Sequence, residues 1–222
     1  MDGAFRRAAA EVAKCLKSAM PAVFACAVAG AAVLADLELC SRIPCAENSL
    51  VEWLQFAFVV VSGALVAVSS LWRPAFRGAY VLVSAFFFDM ALRELDDVLG
   101  RLFFHGSWTV FVAALTAAAL FAACRSIGTV APGLRDLRLS RHFPSLLAGL
   151  SVIFVFSRLF GSKFLWQALP LGDGVYRTVK RVAEEGTELL GYSLVLSWAV
   201  TSFLDSRARP GGGGGGGEGQ CR

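Results

Sequence analysis

The sequence predicts an all-α polytopic membrane protein, a bundle of about six transmembrane helices with both termini on the cytoplasmic side. Three observations predict it. Hydrophobic residues make up 56% of the chain and charged residues 17%, where soluble domains carry roughly 25% charged residues. The apolar residues fall in long runs, each near the ~20 residues that a helix needs to cross about 30 Å of hydrocarbon. Arginine and lysine collect in alternate connections, as orientation by positive charge requires.

The first region is 1–17. Phe5, Ala8, Val12, Cys15 and Leu16 are set at helical spacing against Arg6, Arg7, Lys14 and Lys17, the pattern of a short basic amphipathic helix on the inner membrane surface. The transmembrane domain is expected over 18–205, followed by a disordered, glycine-rich cytoplasmic tail at 206–222. Its first span runs from Ser18 to Ala35. Val33-Leu34-Ala35 before Asp36 loosely fits a signal-peptide cleavage site, but the apolar stretch is long for one, and an even number of spans explains the charge bias better.

Cys40 and Cys45 share the first outer loop, Cys-Ser-Arg-Ile-Pro-Cys. In an oxidising periplasm they can form a disulfide, although a loop this short can equally hold two free thiols. The second span starts near Asn48 and is uncharged from Trp53 to Trp72; Arg73-Pro74 and Arg77 then make a tight inner turn. The third begins at Gly78, is interrupted at Asp89 and continues through Leu99. Gly100, Gly106 and Ser107 mark a turn, and the fourth span returns within Leu102 to Cys124, where Ala113 to Ala123 offer a packing face of small side chains. The inner loop from Arg125 to His142 carries Arg135, Arg138 and Arg141, a composition suited to anionic headgroups. The fifth span covers His142 to Ser157. Gly161, Pro170, Gly172 and Gly174 frame the next outer loop, and the last helix runs from near Tyr176 to Leu204. Trp53, Trp108 and Trp166 at outer ends, and Trp72 at an inner one, agree with this depth assignment.

Helix rise converts these positions into depth. At 1.5 Å per residue, Asp89 and Arg93 lie about 18 and 24 Å beyond Arg77, Arg158 about 25 Å beyond Arg141, and Glu188 about 25 Å from Asp205. Ionisable groups at such depth are costly and mark candidate sites. They also share faces: Asp89, Arg93 and Asp96 on the third helix; Arg177, Arg181, Glu184, Glu188 and Tyr192 on the sixth; Asn48, Glu52 and Gln55 on the second.

The expected site therefore sits toward the outer side. Asp89, His105, Glu184 and Glu188 are the candidate catalytic acids and bases, while Glu52, Gln55, Arg93, Arg158 and Tyr192 are candidate substrate contacts, the arginines suiting phosphate or an oxyanion. Asp89, Glu184 and Glu188 are also the candidate ligands of a divalent metal ion, with oxygens favouring Mg²⁺ or Ca²⁺ and His105 admitting Zn²⁺. The leading reading is an intramembrane enzyme of the bacterial cytoplasmic membrane acting on a lipid or lipid-linked substrate. A non-catalytic scaffold or assembly subunit is the first alternative, with buried charges specifying helix pairing. An ion-coupled transporter is the second, but its inner half would offer only Ser62, Ser69 and Ser84. The expected partners are the lipid bilayer and either a lipid-like substrate or a membrane protein. Nucleic acid is not among them, because the net charge of +4 is concentrated in the inner connections. No HExxH, Walker loop, GxSxG or diphosphate-binding aspartate pair occurs. Purely structural roles stand beside these: Asp89 and Arg93 are spaced to neutralise each other, Arg158 can pair with Glu188 or Glu184, and Glu52 suits the first turn of a helix.

Overall fold

The computed structural model describes residues 2–39, 49–167, 169–170 and 172–208. All regular structure among the described residues is helical. Among the described residues, six helical stretches are long and apolar enough to cross a membrane: Ala19–Asp36, Leu50–Trp72, Pro74–Glu94, Trp108–Arg125, Phe143–Phe160 and Val175–Arg207. Only 11% of the Trp108–Arg125 window is buried inside the protein, so its apolar surface, including Val110, Leu120 and Phe121, is left for lipid to cover.

The chain divides into two compact units, one of Met1–Val61 with Arg141–Thr201 and the other of Ser62–Ser140 with Ser202–Arg222.

In the first unit, α1 (Asp2–Leu39) is one helix that includes both the basic segment and the first span. It extends past Ala35, so Asp36, expected in a loop, lies in the helix and is buried. The Asp36 carboxylate accepts a hydrogen bond from the Leu50 N–H at 3.3 Å, at the start of α2 (Leu50–Trp72). Ser49 caps the same end, its hydroxyl accepting from the Glu52 N–H at 3.3 Å. Ser49 and Glu52 stand at capping-box spacing, and both carboxylates complement the positive end of the helix dipole. Cys40, Cys45 and Asn48 lie outside the described residues. Ala29, Ala32, Val51 and Leu189 form a buried cluster, flanked by Val33, Leu54, Phe58 and Val182.

The fifth span is composite: α7 (Phe143–Ser151), a π-helical segment (Val152–Ser157) and α8 (Arg158–Phe160). The short α9 (Lys163–Gln167) and then α10 (Asp173–Ala208) follow. Ser145, Gly149, Ile153, Ser157 and Gly161 recur every four residues, and each meets α10. The Ser145 hydroxyl donates to the Leu194 carbonyl at 3.2 Å. A Cβ on Gly149 would stand 2.8 Å from the Gly191 carbonyl oxygen, so only glycine permits this approach. A four-residue spacing drifts by about 40° per step on an ordinary helix at 100° per residue. The π-helical turn takes more residues per turn and offsets that drift, keeping Ile153 and Ser157 on the α10 face.

The second unit holds α3 (Arg77–Glu94), α4 (Asp96–Leu102), α5 (Trp108–Arg125) and α6 (Val130–Leu139). Here the structure departs from the expected boundaries. The third span stops at Glu94 rather than running through Leu99, because Leu95 leaves helical geometry (φ −92°, ψ 11°) and Asp96 and Asp97 open a new helix as first-turn acids. The turn before α5 is made by Gly106, at φ +78°, whereas Gly100 lies inside α4. The region Arg125–His142, expected as a loop, contains α6. Pro132 is tolerated because it falls in the first turn of that helix. Gly133 belongs to a contact: a Cβ there would stand 2.6 Å from that of Ala79. The Gly78 N–H donates to the Thr129 hydroxyl at 2.8 Å, and the buried Ser84 hydroxyl donates to the Gly63 carbonyl at 2.9 Å.

Candidate functional site

Helix α10 positions most of the charged side chains of the first unit. Its first turns and α9 border a cleft of about 360 Å³ lined by Lys163, Tyr176, Arg177, Lys180, Arg181, Glu184 and Glu185. Lys180 pairs with Glu184 at 2.8 Å along the helix. Arg177 lies over the Tyr176 ring, 5.9 Å from its centroid, a cation–π distance. Neither Lys163 nor Arg181 has a hydrogen-bond or ion-pair partner among the described residues. Gly161 packs directly against the Glu184 carboxylate, where a Cβ would collide with it.

Glu185 faces α2. Fully buried Gln55 donates from its amide to the Glu185 backbone carbonyl at 3.0 Å and to its carboxylate at 3.1 Å. The Gln55 carbonyl oxygen is buried and accepts no hydrogen bond among the described residues. One turn further along α10, Glu188 is held by the α7–α8 strip: it accepts from the Ser157 hydroxyl at 2.7 Å and pairs with Arg158. The Glu188 side chain is 5% exposed and that of Arg158 45%, so the carboxylate is shielded while the guanidinium still reaches the surface. Tyr192, the next member of the stripe, is fully buried. Glu52 stands half-buried in the capped first turn of α2.

The remaining candidates belong to the second unit. Asp89 on α3 accepts a hydrogen bond from the Thr116 hydroxyl of α5 at 2.6 Å; its other carboxylate oxygen is buried and accepts no hydrogen bond among the described residues. Arg93 is half-buried on α3, and His105 is exposed in the turn before α5. Among the described residues, no three His, Cys, Asp or Glu side chains gather closely enough to hold a metal ion.

Sequence reasoning brought forward Gln55, Arg158, Glu184 and Glu188, and the structure gives each a polar contact within the first unit. It passed over Glu185, Ser157, Asp36 and Thr116. A signal for Glu185 was present, since it lies three residues before Glu188 and so belongs to the same face as Glu184 does at four. Asp136 and Tyr80 were also missed. In the second unit, Arg73 pairs with Asp136 at 2.7 Å, and the Tyr80 hydroxyl donates to the same carboxylate oxygen at 3.1 Å.

No protein-family model matches this chain, and comparisons with curated proteins and with solved structures give no match.

Proposed function

We propose that the protein is an integral membrane enzyme acting on a lipid or lipid-linked substrate with an anionic headgroup, at the cleft between α9 and the first turns of α10. One observation carries this reading. Lys163 and Arg181 line the cleft without partners among the described residues, beside the carboxylates of Glu184 and Glu185. Unpaired cations at a polar cleft complement a phosphate, and adjacent carboxylates supply groups for proton transfer. Gln55 orients Glu185, and Glu188 fixes Arg158 and Ser157 beneath the cleft residues. Glu184 is the acid–base residue of this reading. Asp89 and His105 are not needed for it. Basic connections support an orientation with both termini in the cytoplasm and the cleft at the outer leaflet; the proposed membrane is the bacterial inner membrane.

A scaffold is the second reading, and the pairing of the deep charges favours it: Glu188 has both Arg158 and Ser157, as a helix-pairing device requires. Turnover separates the two. Full-length protein in liposomes containing phosphatidylglycerol, phosphatidic acid and a polyprenyl diphosphate is expected to convert one of them to a headgroup-altered product detected by mass spectrometry. Glu184→Gln is expected to slow this by about 100-fold or more; Arg101→Gln, on the exposed pair with Asp97, leaves it unchanged. Absence of product from the parent protein would leave the scaffold.

A further inference from the structure

Helix α6 joins the ends of two candidate spans, Trp108–Arg125 and Phe143–Phe160, which places it at a membrane boundary. One of its faces is used in packing: Gly133 and Leu137 are buried, with Gly133 against Ala79 and Phe76 of the same unit. The other face leaves Leu134, Arg135, Arg138 and Leu139 exposed. The acid of α6, Asp136, is already engaged by Arg73 and Tyr80. Arg135 and Arg138 have no hydrogen-bond or ion-pair partner among the described residues. Beside them opens a cleft of about 500 Å³, lined by Phe76, Ala131, Pro132, Arg135, Asp136 and Leu139.

We propose that this cleft binds an anionic phospholipid, its headgroup phosphate on Arg135 and Arg138 and an acyl chain against Phe76, Pro132 and Leu139. The charge balance selects the headgroup: Arg135 lines the cleft, exposed Arg138 follows three residues on along the helix, and the acid in the lining, Asp136, is already taken by Arg73 and Tyr80. The apolar walls select the source. At a membrane boundary a phospholipid presents a phosphate and a hydrocarbon chain together, whereas a free phosphate leaves Phe76, Pro132 and Leu139 uncovered. An amphipathic helix with arginine on its polar face and leucine beside it has the composition that binds anionic bilayer surfaces. This site lies in the second unit and does not depend on the enzymatic reading of the first.

Native mass spectrometry of the full-length protein tests it, after equilibration with equimolar phosphatidylglycerol and phosphatidylcholine of matched acyl chains. Retained adducts are expected to favour phosphatidylglycerol, with about fivefold preference contributed per arginine. In the Lys163→Gln, Arg181→Gln background, where the other cleft has lost its unpaired cations, Arg135→Gln with Arg138→Gln abolishes the preference, whereas Arg135→Lys with Arg138→Lys retains most of it, which separates lost charge from a disturbed helix. Lys163→Gln with Arg181→Gln, in the other cleft, leaves at least one preferred phosphatidylglycerol adduct in place. Equal retention of the two lipids, a preference that survives loss of both α6 charges in the Lys163→Gln, Arg181→Gln background, or a dimer mass that excludes phosphatidylglycerol would each overturn the proposal.

Discussion

Both units bring helices into close contact through glycine, but they use the contact differently. In the first, Gly149 and Gly191 let α7 and α10 touch, and the same strip then delivers Ser157 and Arg158 to Glu188 within the candidate span. In the second, Gly78 and Gly133 let α3 and α6 touch, and the nearby carboxylate, Asp136, meets Arg73 and Tyr80 at a span end. Glu188 is 5% exposed, whereas Asp136 is 32% exposed. Close packing therefore sets which side chains meet, and depth sets how much their meeting matters: water can replace a lost partner at the boundary but not beneath it.

The largest effect is expected where the backbones touch. Gly149→Leu must displace the Gly191 carbonyl and Val195, and should cost about 3 kcal/mol, read as a fall in the thermal unfolding midpoint. Gly30→Ala is the control: its Cβ would meet nothing within 4 Å, so its midpoint should hold or rise slightly. Equal losses at both glycines would mean that the Gly149–Gly191 approach does not hold α7 against α10.

A smaller effect follows at the buried carboxylate. Glu188→Ala leaves Ser157 and Arg158 without their acceptor and is expected to cost about 2 kcal/mol. That is below the value for a fully buried pair because Arg158 can turn outward. Adding Arg158→Ala should recover part of the loss, a coupling that a double-mutant cycle measures directly. Asp136→Asn is the mildest of the series. It keeps an acceptor for Tyr80 and loses a partly exposed ion pair, so about 1 kcal/mol or less is expected; a loss exceeding that of Glu188→Ala would contradict the role assigned to depth.

The spans were legible because hydrocarbon demands about 20 apolar residues without interruption, and Ser49 with Glu52 announces the start of α2 in the sequence itself. Stripes on α2 and α10 pointed to Gln55 and Glu188 for the same local reason. The partners were harder to read. Gln55 and Glu185 are separated by 130 residues, and helical periodicity says which face a residue occupies, not which helix will cover it. Helix α6 was hidden because Pro132-Gly133 reads as a break, while here proline occupies a first turn and glycine a contact. The interruption at Leu95 had no local signal, and the acids after it look alike whether they continue a helix or start one.

In the proposed function the charged groups of the first unit divide their work: Glu188, Arg158 and Ser157 hold helices together, while Lys163 and Arg181 are left for a substrate. That division is tested most directly by replacing Lys163 and Arg181 with glutamine and measuring phospholipid turnover and thermal unfolding on the same preparation. Turnover is expected to fall at least about tenfold with an unchanged unfolding midpoint. A lowered midpoint with turnover intact would contradict it.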